Sequence, residues 1–213
     1  LLSLLAFQTP ARVILLAAVD GILVTLPLLL VVYGGILLAS VLIDSGSLAR
    51  LTQWLMSAVR HEWDRLSLLT LGVGNTLEGA GIIAEPVAAP MLRASGLSPM
   101  PSAALSIIGY SGLMTLGLGG VIITVLAGVT GYPPDLLARE VAVLSIPASV
   151  LMAWCIPFFA GDAGWRPARL LYLSVIGVVA GSAAWVAVSV IGYQVGELAG
   201  GTVIAGLLIL PGI

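Results

Sequence analysis

The sequence predicts an all-α polytopic membrane protein, and three observations predict it. The 213-residue chain is 60% hydrophobic and 8% charged, where an ordinary soluble domain carries roughly 25% charged residues. Its mean hydropathy is +1.16. Apolar runs recur that are long enough to cross a ~30 Å hydrocarbon core, each needing about 20 residues as helix. The runs are continuously apolar rather than alternating, which argues against the strands of a membrane β-barrel. A net charge of −2 with no Lys among its eight basic residues leaves no basic stripe for a nucleic acid.

The elements follow in order. Residues 1–7 read as the tail of a span, and Gln8-Thr9-Pro10 as a turn. Residues 11–23, with Arg12 and Asp20, suit a short helix near the interface, and 24–43 a full span ending at Asp44-Ser45-Gly46. From Ser47 the apolar residues Leu48, Leu51, Leu55 and Val59 recur at helical spacing beside Trp54 and Ala58. That pattern predicts an amphipathic helix lying in the interface over 47–65, with Ser47 as its cap. Residues 66–93 hold the motif NTLEGAGIIAEPVAAP, and 102–130 is a long apolar segment interrupted by GYSGLMTLGLGG. Spans follow at 136–159 and 170–191, separated by the polar loop AGDAGWRPAR. Residues 192–201 read as a glycine-rich loop that includes Glu197, and 202–213 begin another helix. The whole, 1–213, reads as one transmembrane domain, cut at both ends within apolar runs.

Arginines decide how 66–93 meets the membrane, because cytoplasmic loops carry the excess of Lys and Arg. If the stretch crosses, Arg50, Arg60, Arg65 and Arg139 face Arg12, Arg93, Arg166 and Arg169 across the bilayer, an even division. If it enters and leaves on one side, Arg50, Arg60, Arg65, Arg93, Arg166 and Arg169 share that side, with only Arg12 and Arg139 opposite. The asymmetric count favours a re-entrant hairpin with the six-arginine side cytoplasmic.

The hairpin carries the chemistry. A charged side chain at mid-membrane costs from ~3 to more than 10 kcal/mol depending on the reference system, so Glu78 and Glu85 belong to a cavity or face a partner. A carboxyl withdrawn from water favours its neutral form, which makes both candidates for an exchangeable proton. Gly79, Ala80 and Gly81 permit a tight reversal, and irregular backbone at membrane depth is tolerated only where it lines a cavity or is covered by protein. Helix N-termini created by such a break suit an anionic ligand. The second break, at 109–120, supplies the hydroxyls of Tyr110, Ser111 and Thr115, and paired broken segments point to a transporter's binding site.

Other features have plainer readings. Gly177-x-x-x-Gly181 and Gly192-x-x-x-Gly196-x-x-x-Gly200 have the spacing of close helix contacts. Trp54, Trp63 and Trp165 flank spans as interfacial anchors. His61 reads as a solvated member of the amphipathic helix, Cys155 as a small hydrophobe, and Glu85 as free to sit at a wet mouth or to pair with Arg93. No metal-ligand spacing, phosphate loop or nucleophile–base set can be assembled, so an enzyme is not expected.

The segments IDSGSLARLTQWL, LEGAG, PVA, GLSPMPSAALSII, LAGVTGYPPDLLARE and GWRPAR follow in the order and spacing of the bacterial lactate permease family, which the chain resembles over nearly its whole length. Leu77-Glu78-Gly79-Ala80-Gly81, with Pro86-Val87-Ala88 downstream, is similar to that family's most specific signature. The resemblance implies a proton-coupled importer of lactate, glycolate and related 2-hydroxy monocarboxylates in a bacterial or archaeal cell membrane. It also implies an inverted-repeat fold of which this chain is one half. The chain departs from the family at Ile82-Ile83-Ala84, where a Gly-Phe-Gly-like run is usual, and at Glu85, where an uncharged residue is. It departs again at Tyr110-Ser111, where Asn-Thr is expected, and at Leu113, where a proline is.

Together these readings give a candidate substrate-binding set of Asn75, Thr76, Gly79, Gly81, Tyr110, Ser111 and Thr115, with Glu78 and Glu85 coupling transport to H⁺, or to Na⁺. No other cofactor is expected. The partners expected are a small carboxylate, the bilayer, and a second half supplied by the same chain or by a homodimer. A non-transporting membrane subunit or assembly module, or a channel, is the alternative.

Overall fold

The computed structural model describes residues 10–59, 61–161 and 166–210, and among them every regular element is helical. The span tail expected at 1–7, Gln8 and Thr9 of the first turn, Arg60, Trp165 with most of its loop, and 211–213 lie outside the described residues.

Helix α1 (Ala11–Asp44) runs for 34 residues, about 51 Å at 1.5 Å per residue. The boundary expected near residue 23 is absent, because Asp20 is exposed to its surroundings and a single Gly21 costs a helix only about 1 kcal/mol. At Gly46 (φ 67°) the chain turns, and α2 (Ser47–Ala58) leaves at 77° to the last turns of α1. The left-handed glycine therefore makes the corner, and Ser47 is not the cap. Its hydroxyl instead accepts from Arg50 Nη2 at 3.0 Å. α2 buries Leu48, Thr52 and Leu55 while Leu51 and Trp54 are exposed, so its covered stripe is narrower than expected. It also ends short of 65, since Val59 is extended and His61 precedes the next helix.

Next comes one unbroken helical run: α3 (Glu62–Ser67), a π-helical segment (Leu68–Val73) that is wholly buried, and α4 (Gly74–Gly79). After a turn, α5 (Glu85–Ala94) packs back against the π segment and against α6 (Pro99–Ser111). Pro90 and Ala94 of α5 share a cleft with Ile43, Leu48 and Thr52, so α5 ends beside the α1–α2 corner. The turn itself touches α1 deeper down: a Cβ on Gly35 would meet Gly81 O at 2.8 Å and Ile83 N at 3.2 Å. α6 is followed by two 3₁₀ turns, Met114–Leu116 and Leu118–Gly120, before α7 (Val121–Thr130).

Helices α8 (Pro134–Ala160) and α9 (Pro167–Val190) are the two described helices long and apolar enough to cross a membrane unaided. They run antiparallel, since a Cβ on Gly177 would meet Val150 Cα at 2.6 Å and one on Gly181 would meet Ile146 Cα at 2.5 Å. These glycines make the close approach their spacing suggested. Gly177→Leu is expected to lower stability by about 1–3 kcal/mol or more through overpacking, read as a lower unfolding temperature in detergent. Val178→Leu on the exposed face of α9 should leave that temperature unchanged.

A 3₁₀ turn (Tyr193–Val195) leads into α10 (Gly196–Ile209), which wedges between α9 and α4. Gly196 and Gly200 lie against Leu116 and Leu113, whereas Gly192 (φ 143°) sits in the break before the helix and not in a helix contact. The contacts of α10 with the π–α4 run step antiparallel, Gly72 against Ala205, Gly201 against Thr76 and Gly79 against Leu198. Glycines on both sides bring the two backbones together, which is the usual means of tight packing where lipid supplies no hydrophobic drive.

Candidate functional site

The site begins with how α4 ends. Gly81 (φ 81°) takes the left-handed conformation, Ile82 N–H donates to Leu77 O at 2.8 Å, and Gly81 N–H donates to Glu78 O at 3.0 Å. This is a Schellman closure, and it accounts for LEGAG: the last glycine supplies the left-handed residue that satisfies the helix's final carbonyls. Glu78 completes the turn, its Oε1 accepting from Ala84 N–H at 2.7 Å. A buried carboxylate (4% exposed) thereby bridges the end of α4 and the start of α5.

Glu85 opens α5, where the helix N-terminus favours an acid. The Tyr110 hydroxyl, at the end of α6, donates to Glu85 Oε1. Arg93, the other partner considered, donates to Leu97 O at 2.7 Å instead. Two positions that depart from the family pattern, 85 and 110, are thus bonded to each other. Asn75 ties α4 to α6 as well, its Nδ2 donating to Leu71 O at 2.6 Å and to Gly109 O at 3.4 Å.

Opposite the hairpin lies the break after α6. Leu118 (φ 51°), Gly119 (φ 63°) and Gly120 (φ 79°) are three successive left-handed residues, and such a conformation in a leucine is strained. Gly112 abuts Ser149 of α8. Gly117 abuts the carboxylate of Glu197, whose Oε2 occupies the space a Cβ at 117 would need. Glu197 is therefore not a loop residue, as its glycine-rich surroundings suggested. It stands in the first turn of α10 with no exposure, and neither carboxyl oxygen has a hydrogen-bond partner among the described residues. Its charge and that of Glu78 repel, and Tyr110 feels Glu85, Glu78 and Glu197. One signal is present in the sequence: Gly192 breaks the chain shortly before Glu197, the pattern of acid beside breaker that marks Glu78.

The structure thus brings Glu78, Glu85, Asn75, Gly81 and Tyr110 together, with Glu197 added. The remaining candidates stand differently. Thr76 donates its hydroxyl to Gly72 O at 2.7 Å and lies against Gly201. Gly79 is covered by the backbone of α10, so its part is close packing. Ser111 is exposed and donates to Ile107 O at 2.7 Å within its own helix. Thr115 is half-buried in the first 3₁₀ turn. Among the described residues no group of His, Cys, Asp or Glu is arranged to hold a metal ion.

Two broken segments thus lie together, with Glu78 and Glu85 on one and Glu197 against the other. No curated protein and no solved structure matches the chain. The family model described as L-lactate permease matches residues 1–211, which implies a transporter of lactate. The chain belongs to the L-lactate permease family.

Proposed function

We propose that the chain is a secondary active transporter, a proton-coupled symporter of small organic anions such as lactate and glycolate. The hairpin and the break after α6 form half of its binding site.

The observation that carries this reading is the depth of the hairpin. α5 ends near the α1–α2 corner, while the turn between α4 and α5 packs on Gly35. Gly35 precedes the end of α1 at Asp44 by a little over two helical turns, about 14 Å at 1.5 Å per residue. That is roughly half of a ~30 Å hydrocarbon core. α5, with 10 residues, is also about half the ~20 needed to span. A re-entrant hairpin with its tip at the midplane fits both lengths and agrees with the asymmetric arginine count. On this reading Arg50, Arg65, Arg93, Arg166 and Arg169 lie on the cytoplasmic side of a bacterial cell membrane, and Arg60 with them.

Coupling follows from charge. Two unit charges 4 Å apart repel by about 4 kcal/mol at an effective dielectric of 20. A carboxylate substrate therefore enters a site lined by Glu78, Glu85 and Glu197 only when protons neutralise part of that charge. The α5 and α7 N-termini, both created by breaks, then offer partial positive charge to the anion. A second half, from the same polypeptide or a second copy, completes the site.

The test is uptake of radiolabelled L-lactate into proteoliposomes under an imposed pH difference. One coupled proton should sustain about tenfold accumulation per unit of pH, the ratio that one pH unit represents, and a protonophore should abolish it. Flux that ignores the gradient makes the protein a channel, a sodium requirement replaces the coupling ion, and no flux makes it a non-transporting membrane subunit.

A further inference from the structure

We infer that Glu197 is the residue that takes up and releases the coupled proton, acting as a pair with Glu78 across the break at Gly117. The inference rests on the symport reading above and assigns the proton within it.

Three observations carry it. First, the acids of the site are not equivalent. Glu78 Oε1 holds the Ala84 N–H and Glu85 Oε1 holds the Tyr110 hydroxyl, contacts that stabilise a carboxylate. Glu197 has no exposure and neither oxygen accepts a hydrogen bond among the described residues, so nothing there supports a charge. Second, Glu78 and Glu197 repel, and an interacting carboxyl pair titrates as a unit that holds one charge more readily than two. With a hydrogen bond on one member and none on the other, the charge rests on Glu78 and the proton on Glu197. Third, Glu197 reaches the break only because residue 117 has no side chain, which puts a carboxyl O–H with no acceptor of its own at the candidate binding face. An anionic carboxylate is the acceptor that such a group fits.

Among the described residues the charged group that acts on Glu197 is Glu78. α4 presents Glu78 and α6 presents Tyr110, and the turn before α10 presents Tyr193, whose ring lies on Gly120. α9 meets α10 through Ala180 and Ala184, and neither the π segment Leu68–Val73 nor the turn Met114–Leu116 carries a titratable residue.

The experiment compares the parent with Glu197→Gln and Glu197→Asp in proteoliposomes, following both pH-driven accumulation and the pH profile of lactate exchange. In Glu197→Gln, accumulation is expected to fall from about tenfold per pH unit to none, and whatever exchange remains should no longer vary with pH. Glu197→Asp keeps a carboxyl one methylene shorter, so its exchange should still vary with pH, along a displaced profile. Undiminished accumulation in Glu197→Gln overturns the inference while leaving the symport reading intact. If the glutamine variant does not fold, an aspartate profile superimposable on the parent's overturns it equally. Absence of proton-driven uptake by the parent, or accumulation driven by sodium alone, overturns the symport reading and this inference together.

Discussion

Gly79→Ala is expected to yield a carrier that is destabilised and transports lactate at least tenfold more slowly. The methyl group would land on the backbone nitrogen of Leu198, with Leu198 Cα at 2.5 Å and the carbonyl carbon of Glu197 at 2.9 Å. A side chain in the way can change rotamer, but these are main-chain atoms in the first turns of α10. The helix must therefore retreat as a body. Overpacking of this kind costs about 1–3 kcal/mol and occasionally more. Its functional reach exceeds that cost, because Glu197 travels with Leu198 and leaves Gly117. Gly72→Ala, on the same face of the same run, is the control. There the nearest atom is the flexible Cδ1 of Leu68 at 3.2 Å, so the unfolding temperature should shift much less. Thermal unfolding of the two variants in detergent, with uptake measured beside it, checks the difference. Equal unfolding temperatures would show that α4 and α10 are not clasped as described.

The legible parts of this molecule were those that one segment decides for itself. α8 and α9 were readable because length and apolarity alone set a span, and the Gly177–Gly181 contact because its spacing repeats on a helix face. The reversal at Gly79–Gly81 was readable from its glycines, although the Schellman hydrogen bonds that require Gly81 are visible only in the fold. What failed needed other segments. α1 runs through Asp20-Gly21 because continuous helix in apolar surroundings outweighs a weak local breaker. The corner before α2 is made by Gly46 because a left-handed residue turns the chain, where a serine cap would only have finished a helix. Glu197 was hidden for the plainest reason: its neighbours at 78 and 117 are distant in sequence, and no period along the chain connects them.

The hydrogen bond between Tyr110 and Glu85 also changes how the departures from the family pattern are read. Taken singly, an extra acid in an anion site and a tyrosine where Asn is expected are two anomalies. Bonded to each other they form one altered contact, in which the tyrosine hydroxyl satisfies the added carboxylate. Glu85 is then held on α6, which leaves Glu78 and Glu197 as the acids open to the proposed coupling.

That division makes Glu78 the residue whose substitution separates structure from coupling most cleanly. In Glu78→Gln the amide oxygen still accepts from Ala84 N–H, so the turn is kept and only the charge is removed. This variant should unfold within about 1 kcal/mol of the parent, the size of one ordinary hydrogen bond. Its accumulation of lactate should nevertheless drop from about tenfold per pH unit to simple equilibration, because with position 78 neutral the single charge that the pair holds passes to Glu197, which then no longer keeps the proton. Glu78→Leu removes the acceptor as well. Ala84 is fully buried, and a buried N–H with no partner costs about 1–3 kcal/mol, so the leucine variant should unfold at a clearly lower temperature than the glutamine variant. The two measurements fail independently. Tenfold accumulation in Glu78→Gln would remove Glu78 from the coupling, and equal stability of the two variants would remove its oxygen from the turn.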